Sequence, residues 1–335
     1  MNICIVKLSA MGDIIHAMVV LEFINKNIPD AKVDWVVESG FKDILKDNPY
    51  INKILPISLK SIKKDKKNFF EQYKLLKSYS KNDYDLIIDA QGLIKSAIVS
   101  KIIGAKKIVG FDKNSIREPI ASMFYDTKVT IGYEKNAIDR NLKVILSPLN
   151  INYTKDDILN KDIFLYSKDA NTPEDKDYIV FVVGASKANK IYPKEKFLSL
   201  ANMIKEKIIV VWGNQDEYEV AKFLENNCNY IKVAQKGNLN DLKRTISKAK
   251  MVIGADTGPT HIAWGVNVPS ITIFGNTPEY RNTYLTDINK VIKSDSKVDA
   301  LKLDYNDFSI KDIDEKDIKK LYDELVGKKS KSTLL

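Results

Sequence analysis

The chain has 335 residues, of which 44% are hydrophobic and 29% charged, and its net charge is +9. That length exceeds one ordinary hydrophobic core and implies two domains of roughly 150 residues each, while the apolar content excludes a largely disordered chain. The lysine surplus admits an anionic partner, yet only four arginines are present, Arg117, Arg140, Arg244 and Arg281, which argues against a reader of DNA sequence.

Asn2 to Leu8 reads as a short buried strand, Ser9 to Gly12 as a turn, and Asp13 to Lys26 as a helix with one apolar face. Strand-like runs follow at Val33 to Val37, Lys53 to Ile57, Leu86 to Asp89 and Lys107 to Gly110, with helical segments at Lys66 to Lys81 and Leu93 to Ile103. Such alternation implies a parallel sheet covered by helices. Between about Asn150 and Asp177 the pattern dissolves into Asn, Asp, Lys, Thr and Pro, as expected of an interdomain linker, placed at 166–177. A second series supplies strands at Tyr178 to Val183, Ile208 to Trp212, Ile231 to Val233, Met251 to Gly254 and Ser270 to Phe274. Its helices lie near Lys194 to Lys205, Glu217 to Glu225, Leu239 to Ala249 and Pro259 to Trp264. The expected division is therefore 1–165 and 178–311. A terminal amphipathic helix at 312–326 is able to pack back on the first domain, and the tail from Gly327 is expected to be disordered.

Cys4 and Cys228 lie far apart and form neither a disulfide framework nor a zinc spacing, which fits a reducing compartment. Met1 to Leu8 is too short for a signal-peptide core, and no run approaches the ~18 to 20 apolar residues of a membrane span. The expected location is cytoplasmic, with any membrane contact peripheral.

In open parallel sheets ligands bind beyond the carboxyl ends of strands, where loops run into helix N-termini. The first such junction, Ser9-Ala10-Met11-Gly12-Asp13, has a single glycine and no G-x-G-x-x-G. Asp13 stands at the helix start, where it either caps the helix or faces a ligand, and His16 follows one turn later as a packed or cleft-lining residue. The strongest local signal is MVIGADTGPTHIAW, Met251 to Trp264. Pro259 suits a first helical turn and Gly258 permits close approach of the backbone. The amides of Thr260 and His261, with the Thr257 hydroxyl, form an expected anion cradle sized for a pyrophosphate. A third loop, Gly184-Ala185-Ser186-Lys187-Ala188-Asn189-Lys190, offers Ser186 as a hydroxyl donor and Lys190 as a point charge. Glu217 either accepts from a ribose diol or is a solvated glutamate at a helix start.

Four segments in order carry a family likeness: KLSAMGDIIHA at Lys7 to Ala17, DLIIDAQGLIKSA at Asp85 to Ala97, REPIASMFY at Arg117 to Tyr125, and GADTGPTHIA at Gly254 to Ala263. Over essentially the whole chain, the sequence resembles the ADP-heptose:lipopolysaccharide heptosyltransferases, the second and third segments looking like type I enzymes rather than type II. The resemblance implies a GT-B fold, two Rossmann-like doubly wound domains facing a central cleft, and an inverting transfer without metal or other cofactor. It implies ADP-L-glycero-β-D-manno-heptose held by the second domain, and Kdo-lipid A, presented at the inner-membrane surface, held by the first; nucleic acid is not an implied partner. By position, Asp13 looks like the catalytic base. Ser186, Lys190, Glu217, Asp256, Thr257, Gly258 and His261 look like donor contacts, and Arg117 resembles an acceptor-side arginine for the Kdo carboxylate. Ser9 and Gly12 belong to the acceptor-side loop. Ala185 and Asn136 depart from the family, which often has a hydroxyl residue and a histidine there.

Lys60 to Lys67, KSIKKDKK, followed by Phe69-Phe70, is a candidate holder of lipid A phosphates through Lys63 and Lys64; a solvated helix start is the alternative. Asp83-Tyr84-Asp85, Asp175-Lys176-Asp177 and Asp312-Ile313-Asp314 read as surface charge rather than metal-holding D-x-D motifs. Rival functions are a type II enzyme or another nucleotide-sugar transferase, a nicotinamide dehydrogenase, which needs the absent G-x-G-x-x-G, and a non-catalytic nucleotide- or nucleic-acid-binding module.

Overall fold

The computed structural model describes residues 1–65, 68–168 and 177–332, with the backbone alone at 63, 64 and 328–332. By internal contacts the chain divides into Met1–Tyr166 and Ser167–Leu335.

In the first unit β1 (Asn2–Val6) runs into α1 (Met11–Met18) and α2 (Val20–Asn27), followed by β2 (Lys32–Glu38) and β3 (Lys53–Ile57). Then come α3 (Leu59–Lys64), α4 (Asn68–Tyr79), β4 (Tyr84–Asp89), α5 (Ile94–Ile103), β5 (Ala105–Phe111) and β6 (Thr127–Val129), and finally α6 (Ala137–Leu146) and α7 (Lys155–Leu159). The sheet order is β3-β2-β1-β4-β5-β6 and every pairing is parallel. Central strands buried on both faces explain why β1 and β4 are continuous apolar runs rather than alternating ones. The helix expected from Asp13 to Lys26 is two helices broken at Val19, within the run Met18-Val19-Val20, whose β-branched residues are weaker helix formers.

The second unit repeats the plan with β7 (Ile179–Val182), α8 (Lys194–Ile204), β8 (Ile208–Val211), α9 (Gln215–Asn227), β9 (Ile231–Val233), α10 (Leu239–Ser247) and β10 (Met251–Ala255). It continues through α11 (Gly258–Gly265), β11 (Ser270–Phe274), α12 (Glu279–Asn282), β12 (Asn289–Lys293) and α13 (Glu315–Ser332). Its order, β12-β11-β10-β7-β8-β9, is again parallel throughout. Read from the third strand of each unit, both sheets run 3-2-1-4-5-6, the doubly wound order whose direction reverses between strands 1 and 4. That switch point lies between β1 and β4 in one unit and between β7 and β10 in the other.

Several expectations need correction. The patternless stretch from Asn150 is not all linker: it forms α7 and buries Ile158, Phe164 and Leu165 on the first unit, where Asn48 Nδ2 donates to the Phe164 carbonyl at 2.8 Å. Residues 169–176 lie outside the described residues. Where a tail without structure is expected from Gly327, the backbone of α13 continues to Ser332. Its Lys-rich sequence is compatible with helix, and residues 333–335 lie outside the described residues. This helix packs on α8, β11 and β12 of the second unit, where Tyr322 and Lys250 both bond Glu206. The short strands β6 and β12 and helix α6 are absent from the sequence reading. The two strands are edge elements whose apolar residues are too few to set a period, whereas α6 carries a clear apolar stripe, with Ile138, Leu142, Val144, Ile145 and Leu146 buried, that the reading passed over.

Candidate active site

In the second unit the switch point is built around Asp256, the first residue after β10. Its carboxylate is buried and receives four donors: Lys190 Nζ at 2.8 Å, His261 Nε2 at 3.0 Å, Thr277 Oγ1 at 2.9 Å and Asn282 Nδ2 at 3.0 Å. An ionised carboxylate only accepts, so the His261 proton facing it sits on Nε2. Burial by itself pushes the Asp256 carboxyl up; the Lys190 charge and the His261 hydrogen bond override it and hold the group well below the usual carboxylate range.

Lys190 ends a short turn, Ala188–Lys190, in the loop after β7, while Ser186 lies exposed in the same loop. The ammonium has three donors and Asp256 takes one, so Lys190 keeps capacity for an anion. Thr257 is the N-cap of α11, Gly258 and Pro259 open the helix, and the Thr260 hydroxyl donates back to the Ala255 carbonyl at 2.8 Å. The cradle expected here needs one correction. The His261 amide is not offered outward; it bonds the Thr257 carbonyl at 3.2 Å as the first turn of the helix closes. The Gly258 and Thr260 amides remain the N1 and N3 donors that the helix itself leaves without a partner.

Glu217 lies in the first turn of α9. Its carboxylate accepts the Gly213 amide at 2.7 Å and Asn214 Nδ2 at 2.9 Å, so it does serve the helix start. It also leans over the loop after β7: a β-carbon at Gly184 would stand 2.1 Å from its carboxyl carbon. The residue at 184 has to be glycine for Glu217 to occupy that place, and two of its roughly four acceptor sites are used.

In the first unit the same edge carries the other predicted residues. Ser9 and Gly12 flank the entry to α1, and Asp13, half-buried in its first turn, accepts the Ala10 amide at 3.1 Å. Asp13 is therefore a capping residue whose carboxylate keeps lone pairs for a proton. His16 is buried one turn on. Gln91, just after β4, spans the switch point: its Oε1 accepts the Leu8 and Ser9 amides at 3.0 and 3.1 Å. Lys7 Nζ reaches the Ala90 carbonyl at 2.8 Å. Arg117, in the loop after β5, is exposed and stacks on Tyr133 with 5.2 Å to the ring centroid. Asn136 caps α6 by accepting the Ile138 amide at 2.8 Å. Lys63 and Lys64 end α3, beyond the carboxyl end of β3, while Lys66 and Lys67 lie outside the described residues. Asp85 accepts the Asn2 amide and Lys106 at the opposite end of β4, in keeping with surface charge.

Thus Lys190, Asp256 and His261 come together directly, and Thr257 and Gly258 adjoin them; Glu217 sits two strands away over Gly184. Sequence reasoning missed Gln91, Thr277 and Asn282. For Gln91 a signal existed, a polar residue right after a central strand at a switch point; Thr277 and Asn282 lie 21 and 26 residues from Asp256 and belong to no motif.

With this geometry in view, the comparisons with known proteins agree. The family model of glycosyltransferase family 9 (heptosyltransferase) matches residues 72–306. Lipopolysaccharide heptosyltransferase 1 of Campylobacter coli is 41% identical, covering 98% of this chain and 99% of its own length. The structure of Escherichia coli heptosyltransferase WaaC with ADP is 26% identical with a TM-score of 0.83, over 97% of this chain and 100% of that one. The same enzyme with ADP-2-deoxy-2-fluoro heptose gives 25% and 0.80, over 97% and 99%. The fold is GT-B, and the chain belongs to glycosyltransferase family 9, the heptosyltransferases.

Proposed function

We propose that the chain transfers L-glycero-D-manno-heptose from ADP-L-glycero-β-D-manno-heptose to a Kdo hydroxyl of Kdo-lipid A, in building the lipopolysaccharide inner core at the cytoplasmic face of the inner membrane. The observation that carries this reading is the Lys190–Asp256 pair, a cation fixed at the switch point of the second sheet beside a helix N-terminus. It occurs in a chain 41% identical to a curated lipopolysaccharide heptosyltransferase 1.

On this reading Ser186 and Lys190 contact the donor diphosphate, Glu217 the ribose diol, and Thr257, Gly258 and His261 the ADP and heptose. Asp256 holds Lys190 and His261 in place. Arg117 meets the Kdo carboxylate through its fork, Ser9 and Gly12 shape the loop beside the acceptor hydroxyl, and Lys63 and Lys64 meet lipid A phosphates. A single in-line displacement inverts the β anomer to an α linkage. Asp13 takes the hydroxyl proton as the acceptor oxygen attacks the anomeric carbon, and the C–O bond to ADP breaks. Charge on the departing diphosphate is met by Lys190 and the α11 N-terminus, a fixed arrangement that calls on no divalent ion.

The test is ADP release from ADP-heptose with and without Kdo-lipid A, with mass spectrometry of the lipid. Acceptor-dependent release with gain of one heptose supports the reading; a lipid of unchanged mass ends it.

A further inference from the structure

One face of the first unit carries large apolar side chains in the open. Helix α4 packs against α5, and α5 against the 3-10 turn Pro119–Phe124. The Glu118 carboxylate fastens that turn to α5 by accepting the Ile94 amide at 2.7 Å. From these three neighbouring elements project Phe69, Phe70 (69% exposed) and Tyr73 on α4, Ile98 (42%) on α5, and Ile120 and Met123 (78%) on the turn. On the same helix Leu76 is buried, the Gln72 side chain accepts the Ser58 amide and Tyr79 donates to the Pro56 carbonyl, so these three tie α4 to the unit.

Lysines are interleaved with the apolar side chains. Lys95, Ile98 and Lys101 follow one another at three-residue spacing, so they form one outward stripe of α5. Lys74 and Lys77 are exposed on α4, Lys77 lying 6.0 Å from the Tyr73 ring centroid. Scattered exposed apolar residues need no explanation, but several on adjoining elements, among flexible cations, do.

We infer that this face, α4, α5 and the turn at 119–124, docks on an anionic lipid bilayer. The inference rests on the proposed transfer to a lipid-linked acceptor. Charge complementarity selects the occupant: a leaflet rich in anionic headgroups attracts a surface of net positive charge, in a chain of net charge +9. Lysine stems reach along an apolar surface while their ammonium groups stay at headgroup level, leaving Phe70, Ile98 and Met123 to enter the acyl boundary. No described helix is long and apolar enough to cross a membrane, so the contact is one of surface seating. The position suits the chemistry, because the turn bearing Ile120 and Met123 follows Arg117 directly.

The test uses the full chain with vesicles of phosphatidylcholine plus phosphatidylglycerol, and of phosphatidylcholine alone. Two triple variants avoid every residue assigned to the reaction: Tyr73→Ser/Ile98→Ser/Met123→Ser, and Lys74→Gln/Lys77→Gln/Lys95→Gln. Wild type is expected to sediment with the anionic vesicles and not the neutral ones. At about fivefold per lysine near such a surface, the lysine variant should partition about a hundredfold less, and the apolar variant, which loses three side chains seated in the bilayer, at least about tenfold less. Both should turn over a deacylated, water-soluble Kdo acceptor at the wild-type rate and lose turnover on vesicle-embedded Kdo-lipid A. Variants that sediment like wild type, or a wild type that turns over the soluble acceptor yet ignores anionic vesicles, overturn the docking face. Sedimentation as described with no heptose transfer to either acceptor instead sinks the proposed reaction and leaves the docking face standing.

Discussion

Lys190 Nζ lies 2.8 Å from Asp256 Oδ2, joining two loops 66 residues apart across the switch point of the second sheet. Both side chains are largely out of water, so each depends on the other. Lys190→Ala leaves a buried carboxylate with three neutral or weaker donors. The expected loss is about 3 kcal/mol of stability, the low end for breaking a buried pair because Lys190 keeps some solvent contact. Denaturant unfolding reads that loss. Donor kcat/KM should fall at least about a hundredfold, in line with removing one fixed donor from developing charge.

Gly184 and Glu217 should behave as one unit. In Gly184→Ala the clashing atoms are the far end of a flexible side chain, so Glu217 swings away at small cost and stability changes by less than about 1 kcal/mol. The carboxylate then no longer reaches its place, and the donor KM is expected to rise about tenfold, as in Glu217→Ala. Steady-state kinetics on the double variant decide the matter: no further rise in KM supports shared action, and additive effects refute it.

Asp13→Ala is expected to lower kcat by about 10²- to 10⁴-fold with the donor KM little changed, since a general base acts on the chemical step. Gln91→Met removes the acceptor of the Leu8 and Ser9 amides, which hold the loop in front of Asp13. A smaller fall in kcat, about tenfold, should accompany a loss of about 1 to 3 kcal/mol of stability. If Gln91→Met loses stability while kcat stays at the wild-type value, the clamp has no part in placing Asp13.

Lys161 gives the chain a pH signature away from the site. Burial pushes its ammonium down to about 7, against the opposing pull of Glu22 and Asp162, and the side chain lies 4.9 Å from the Phe164 ring centroid. Between pH 7 and about 10 the unfolded lysine holds its proton and the folded one does not, so the unfolded state binds more protons and stability rises with pH. Urea unfolding of wild type at pH 7 and pH 9 should show a gain on the order of 1 kcal/mol per pH unit that Lys161→Met lacks. Equal slopes in the two proteins would refute the assignment.

The order of strands and helices was readable along the chain because apolar runs and helical stripes are local patterns, and β3, β9 and β11 stand where the residues place them. The Asp-Thr-Gly-Pro start of α11 was readable for the same reason: a glycine, a proline and a polar cap signal a helix N-terminus within four residues. Elements whose burial depends on a distant surface were not. Phe164 and Leu165 show no period, and only their seat on the first unit makes them core.

What the amino-acid sequence determined by itself is the two doubly wound halves, the loops that carry Asp13, Lys190, Glu217 and Asp256, and the family likeness. What only tertiary structure decided is who holds these residues. Gln91 reaches Leu8 from 83 residues away, and Thr277 and Asn282 converge on Asp256 from a later loop, because strand order sets which carboxyl ends become neighbours. Periodicity tells which face of a strand is buried and says nothing of which strand lies beside it, so a hydrogen bond between loops becomes visible only once the sheet is assembled.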